Sequence, residues 1–145
     1  MRVLVLIIAV LAFLGGLAHI LGGMLGFGGA ILMLTTKFPS QVQSPEMPPL
    51  TIGLILLFSA ALMFANGVLF VLFALGAFKR KRWARPLGIF AYALNIVVCL
   101  ATMAFSTVEG SPAPWIAGTI VAALFMTILL LAKNEFATTA PARMR

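Results

Sequence analysis

Charged residues in this chain fall into clusters. Between the clusters lie four long stretches without a single Asp, Glu, Lys or Arg: Val3 to Thr36, Leu50 to Phe78, Pro86 to Val108 and Trp115 to Ala132. A bilayer's hydrocarbon core is about 30 Å thick, so a helix rising about 1.5 Å per residue needs roughly 20 apolar residues to cross it. Each stretch reaches or approaches that length. All four are continuous rather than alternating, which selects helices over barrel strands, because in lipid every backbone N–H and C=O must be paired within the protein. The pattern predicts an all-α fold: a four-helix transmembrane bundle with antiparallel neighbouring spans, forming one transmembrane domain over residues 1–145.

The intervening segments read as connections. Residues 37–49 carry Pro39, Pro45, Pro48 and Pro49 and form a loop; residues 79–85, KRKRWAR, form a short hairpin; EGSPAP at 109–114 is a tight turn; residues 133–145 are a tail. Counted on alternate sides of the membrane, Arg2, the five basic residues of the hairpin, and Lys133, Arg143 and Arg145 make nine, against Lys37 alone on the other side. Basic residues are retained in the cytoplasm, so both termini and the hairpin are expected inside and the proline-rich loop outside. Trp83 and Trp115 stand where aromatic rings anchor at headgroup level. Lys79, Arg80, Lys81, Arg82 and Arg85 are also expected to touch anionic lipid, each contributing about 1 kcal/mol. The first stretch is far longer than the apolar region of a secretory signal, so it is expected to stay as a span.

Composition agrees with this picture. Of 145 residues, 63% are hydrophobic and 9% charged, outside the usual range of water-soluble domains. The net charge of +7 would suggest nucleic acid if it were spread over a soluble surface. Here the charges sit at the ends of apolar runs, and no nucleic-acid partner is expected. Cys99 is the single cysteine, which excludes an internal disulfide and a Cys-x-x-Cys redox pair.

The first stretch would make a helix of roughly 50 Å, longer than the membrane core. At about 100° per residue, Gly15, Ala18, His19, Gly22, Gly26 and Gly29 share one face. Small residues at such spacing let a second helix approach closely, and packing of this kind drives association in lipid. Neither G-x-x-x-x-G-K-[ST] nor G-x-G-x-x-G occurs, so the glycines do not form a nucleotide cradle. A break within Gly22 to Gly29 would instead suit a transporter's substrate site.

His19, the only histidine, is the candidate cofactor-binding residue. One imidazole cannot complete a metal or haem site within the chain, so no cofactor is expected, and a hydrogen bond across a helix interface is the competing role. In the third stretch Gly88, Tyr92, Asn95, Cys99 and Thr102 recur at intervals of four and three, an inward seam. Asn66 lies about as far from the hairpin as Asn95, and the two amides are expected to hydrogen-bond or share a polar neighbour. Tyr92, Asn95, Thr102 and Asn66 are the expected interior polar residues.

No ionisable group other than His19, Tyr92 and Cys99 lies within a span, so a proton relay, a voltage sensor or a charge-coupled pump lacks its usual parts. Neither paired carboxylates nor a Ser/His/Asp set is present. The expectation is a non-enzymatic structural or accessory protein, bound to membrane lipids and assembling with its own copies or with other membrane subunits. The alternative is a small transporter or channel for an uncharged or lipophilic solute. The glycine-rich first helix, the long second one, the KRKRWARP turn and the shorter closing pair together resemble small four-span inner-membrane proteins of bacteria. That resemblance implies a bacterial plasma membrane and assigns no catalytic residue.

Overall fold

A computed structural model describes residues 2–35, 49–105 and 113–136. Among these residues are four α-helices and no strand: α1 Arg2–Thr35, α2 Pro49–Phe78, α3 Ala84–Phe105 and α4 Ala113–Leu131, followed by a 3₁₀ turn at Lys133–Phe136. The fold class is all-α, as the unbroken apolar runs require. Two helices are long and apolar enough to cross a membrane, over Arg2–Thr35 and Leu50–Phe78. The apolar parts of the other two, Ala84–Leu100 and Trp115–Leu131, are shorter.

Helix starts differ slightly from the hydropathy boundaries. Pro49, Pro86 and Pro114 each fall in the first turn of a helix. There the missing N–H has no intrahelical acceptor to satisfy, and the fixed φ of proline is already helical. Pro49 therefore sits inside the helix that the loop at 37–49 was expected to precede, while Pro86 opens the third stretch as expected.

The end of α2 is closed by hydrogen bonds. The Lys81 amide donates to the Gly76 carbonyl at 2.9 Å and the Arg80 amide to the Ala77 carbonyl at 3.0 Å. This is a Schellman closure, and it needs a left-handed residue just past the cap, a place glycine usually fills. Here it is Arg80, at φ 51°. A side chain at this backbone position costs about 1 kcal/mol relative to glycine. The indole of Trp83 then folds back onto Gly76, where an added Cβ would lie 2.8 Å from the ring.

The chain groups into two compact units, where the hydropathy pattern alone predicts one domain: Met1–Leu14 with Leu69–Arg145, and Gly15–Val68. Helix length explains the division. With 34 and 30 residues, α1 and α2 are longer than α3 and α4, at 22 and 19, and part of each long helix has only the other long helix in its unit.

The first unit has a side-chain core. Val5, Ile8, Ala9 and Ala12 of α1 join Phe70, Phe73 and Ala77 of α2, Ala84, Ala91 and Tyr92 of α3, and Ala122 and Leu129 of α4. At its centre Tyr92 touches three aromatic rings, with centroids 4.9 Å away for Phe70, 5.6 Å for Phe125 and 6.2 Å for Phe73. The tilted and edge-on arrangements match the electrostatic preference of aromatic pairs. Helices α3 and α4 run antiparallel: Gly88 lies beside Leu129 and Gly118 beside Cys99.

The second unit is a single antiparallel helix pair joined along small residues. A Cβ added at Gly67 would lie 2.7 Å from the Gly16 carbonyl oxygen and 2.8 Å from the Ile20 amide nitrogen. One added at Gly23 would lie 2.9 Å from the Phe64 amide nitrogen and 3.0 Å from the Ala60 carbonyl oxygen. The two backbones meet directly at these points. Gly16, Gly23 and Ala30 recur every seven residues on α1, and Gly53, Ala60 and Gly67 do so on α2; all six are buried. A seven-residue spacing drifts only about 20° around a straight helix, so each trio keeps to one face.

Candidate functional site

Two places combine unusual residues with defined geometry: the close helix contact of the second unit and the basic end of the first. Of the residues expected to pack helices, Gly22 and Gly26 lie against α2. Added Cβ atoms would meet the Met63 side chain at 2.6 Å and Ala60 Cβ at 2.9 Å respectively. Gly15 and Gly29 have nothing within 4 Å of that position, and Ala18 is exposed. The closest approach is centred one residue further along, on Gly16 and Gly23, a rotation of about 100° around the helix axis. The signal for that register was the matched seven-residue spacing on both helices, which the face of four- and three-residue steps on α1 alone did not reveal.

Helix α1 is continuous through Gly22 to Gly29. The His19 ring is half-buried, and its Nδ1 lies 2.8 Å from the Gly15 carbonyl oxygen one turn back, the geometry of an Nδ1–H donating to its own helix. Among the described residues no three His, Cys, Asp or Glu side chains gather where a metal ion could be held.

Asn66 is buried, 3% exposed, in the second unit, and Asn95 is half-buried in the first. The Asn95 amide lies 3.9 Å from Cys99 Sγ, one turn along α3. Tyr92 is buried in the aromatic cluster. The side chain of Thr102 lies outside the described residues.

In the first unit, the start of α1, the end of α2 and the end of α4 converge. Lys79, Arg80, Lys81 and Arg82 are exposed there, while Arg85 is half-buried. Arg85 Nε donates to the Leu129 carbonyl at 3.0 Å and Nη2 to the Leu130 carbonyl at 2.8 Å. These carbonyls belong to the last turn of α4, where no intrahelical donor reaches them and the helix dipole is negative, so a guanidinium satisfies both requirements.

The same unit holds a cleft of about 110 Å³ lined by Val5, Leu6, Phe78 and Phe136 together with Arg2, Arg80 and Glu135. Arg2 Nε is 3.4 Å from Glu135 Oε2; the Arg2 side chain is 75% exposed and that of Glu135 24%. Arg80 enters the cleft from its left-handed turn. By sequence, Arg2 is an orientation signal and Glu135 falls in the tail at 133–145. What could have joined them is the expectation that the chain start and the segment after α4 share one side.

Comparison with protein-family models, curated proteins and solved structures gives no match for this chain. The functional reading therefore rests on the residues themselves.

Proposed function

We propose that this chain is a four-span integral membrane protein of a bacterial plasma membrane, with both termini cytoplasmic. It acts as a non-enzymatic structural or accessory subunit that assembles through helix faces with its own copies or with a larger membrane complex. The observation that carries the membrane reading is the exposure of its most apolar helices. Only 28% of the most apolar window of α1 is buried, and 22% of that of α2. Leu21, Leu25, Ile31 and Leu32 of α1, and Leu54, Ile55 and Phe58 of α2, all stand exposed. The core helix of a water-soluble protein buries such residues, whereas lipid is as apolar as leucine and leaves them content at the surface.

The orientation is supported by the meeting of Arg2, the basic turn and Lys133–Phe136 at one end of the first unit, the side the charge count places in the cytoplasm. The exposed basic turn faces anionic lipid in this arrangement. Assembly is supported by the small residues of α1 that α2 leaves open, among them Ala18, Gly28 and Gly29.

Two measurements test this reading. The protein is expected to stay in the membrane fraction through an alkaline wash, with reporters fused to either terminus on the cytoplasmic side; release by the wash overturns the membrane assignment. In native nanodiscs the particle is expected to be larger than one chain, and a strictly monomeric particle without a co-purifying subunit overturns the assembly.

A further inference from the structure

We propose that the cleft at the basic end of the first unit binds a phosphate-bearing anion, supplied within a membrane by the headgroup of an anionic lipid. The proposal rests on the membrane reading above and adds a ligand class and a location to it.

Three observations carry it. The first is charge: Arg2 and Arg80 line the cleft with one carboxylate, Glu135, so its lining carries a net single positive charge. Glu135 is engaged by Arg2, and among the described residues no carboxylate lies within ion-pair distance of Arg80. A guanidinium presents a planar fork of donors that matches a phosphate's oxygens.

The second is backbone conformation. Arg80 occupies the left-handed position of the Schellman turn, at φ 51°. Glycine fits this position without strain, and a strained residue held in place is a pointer to a role for its side chain. Here that residue lines the cleft.

The third is the mixed lining. Arg2 and Arg80 share the lining with Val5, Leu6, Phe78 and Phe136. A free inorganic anion gains nothing from apolar walls, whereas a lipid presents its phosphate next to glycerol and acyl carbons. The volume of about 110 Å³ exceeds the ~30 Å³ that one water takes up in the liquid, leaving room for a tetrahedral group.

The test uses the full chain in nanodiscs of phosphatidylcholine mixed with phosphatidylglycerol, with native mass spectrometry reading the phosphatidylglycerol that stays bound on release. Arg80→Gly removes the guanidinium and relaxes the turn, so the fold is preserved. It is expected to lower retention about tenfold, the effect of losing one charge-assisted contact. Arg2→Gln is expected to act in the same direction, and Arg82→Gln, a basic residue of the same turn outside the cleft lining, is expected to lower retention only by the few-fold of one surface charge. Equal losses in Arg80→Gly and Arg82→Gln overturn the proposal, because binding would then follow overall charge. Inorganic phosphate added to phosphatidylcholine nanodiscs separates the two sources. Stabilisation by phosphate that Arg80→Gly abolishes, without phosphatidylglycerol retention, keeps the anion site and overturns the lipid as its occupant. An alkaline wash of the same variants reads the membrane assignment separately: retention in membranes with no selective lipid loss refutes the cleft alone.

Discussion

In the first unit side chains fill the interior. Phe73 and Leu129 are completely buried, and Tyr92 is ringed by Phe70, Phe73 and Phe125. The second unit has almost no interior to fill: two helices meet where Gly16, Gly23, Ala60 and Gly67 bring their backbones within reach. The contrast shows two ways to join apolar helices, and in the membrane setting proposed above water supplies no drive to do so. Large side chains interlock across four helical segments, or the absence of side chains lets two backbones close. The units should therefore respond in opposite senses to substitution, with the first damaged by loss of volume and the second by its addition.

The largest expected effect is on the first unit. Phe73→Ala should destabilise it by about 3 kcal/mol, the low end for a buried phenylalanine, because on the proposed membrane reading lipid rather than water receives the unfolded chain. Thermal or SDS-induced unfolding in mixed micelles measures it, and a loss no greater than for the exposed Phe90→Ala would refute the described core. Next comes Gly23→Val, which forces apart two backbones that cannot rotate away, at about 2 kcal/mol. Gly28→Val, with nothing within 4 Å of the added atom in the chain itself, is its control in micelles that hold single chains and should there stay within about 0.5 kcal/mol. Equal effects of the two would remove the distinction between the units.

Arg85→Gln should cost about 1 kcal/mol. It loses two charge-assisted hydrogen bonds to the last turn of α4, of which one is exposed. Hydrogen exchange should report the loss at Leu129 to Ala132 before it reaches α2. The smallest effect belongs to Glu135→Gln, within about 0.5 kcal/mol, because its partner Arg2 is largely in solvent. A larger shift in the melting temperature would mean that the ion pair does more than position Arg2 at the cleft.

Legibility in the sequence varied with the range of the interaction. The helical class and the two longest helices followed from uninterrupted apolar runs, a property of each segment alone. The hairpin at 79–85 was equally plain, since a charged run between apolar runs has one place to go. The glycine face was legible in kind but not in register. A single helix shows several small-residue faces, and only pairing with Gly53, Ala60 and Gly67 on α2 selects the face through Gly16, Gly23 and Ala30. The left-handed Arg80 carried no local signal, because arginine is rare where glycine is the rule. The cleft joins residues 2, 80 and 135, which no window of sequence contains.

By itself, then, the sequence determined that this is an all-helical chain with at least two helices apolar and long enough to cross a membrane, and where its turns lie. Those features follow from backbone hydrogen bonding and transfer between solvents, both of which act residue by residue. Tertiary structure alone decided that the chain groups into two units, which glycines touch backbone, that Arg85 caps α4, and that Arg2, Arg80 and Glu135 share a cleft. Each of these depends on distances between segments remote in the chain, and contact energies fall off within a few ångströms. A shift of one residue in helix register therefore changes which side chains meet while leaving the hydropathy pattern unaltered.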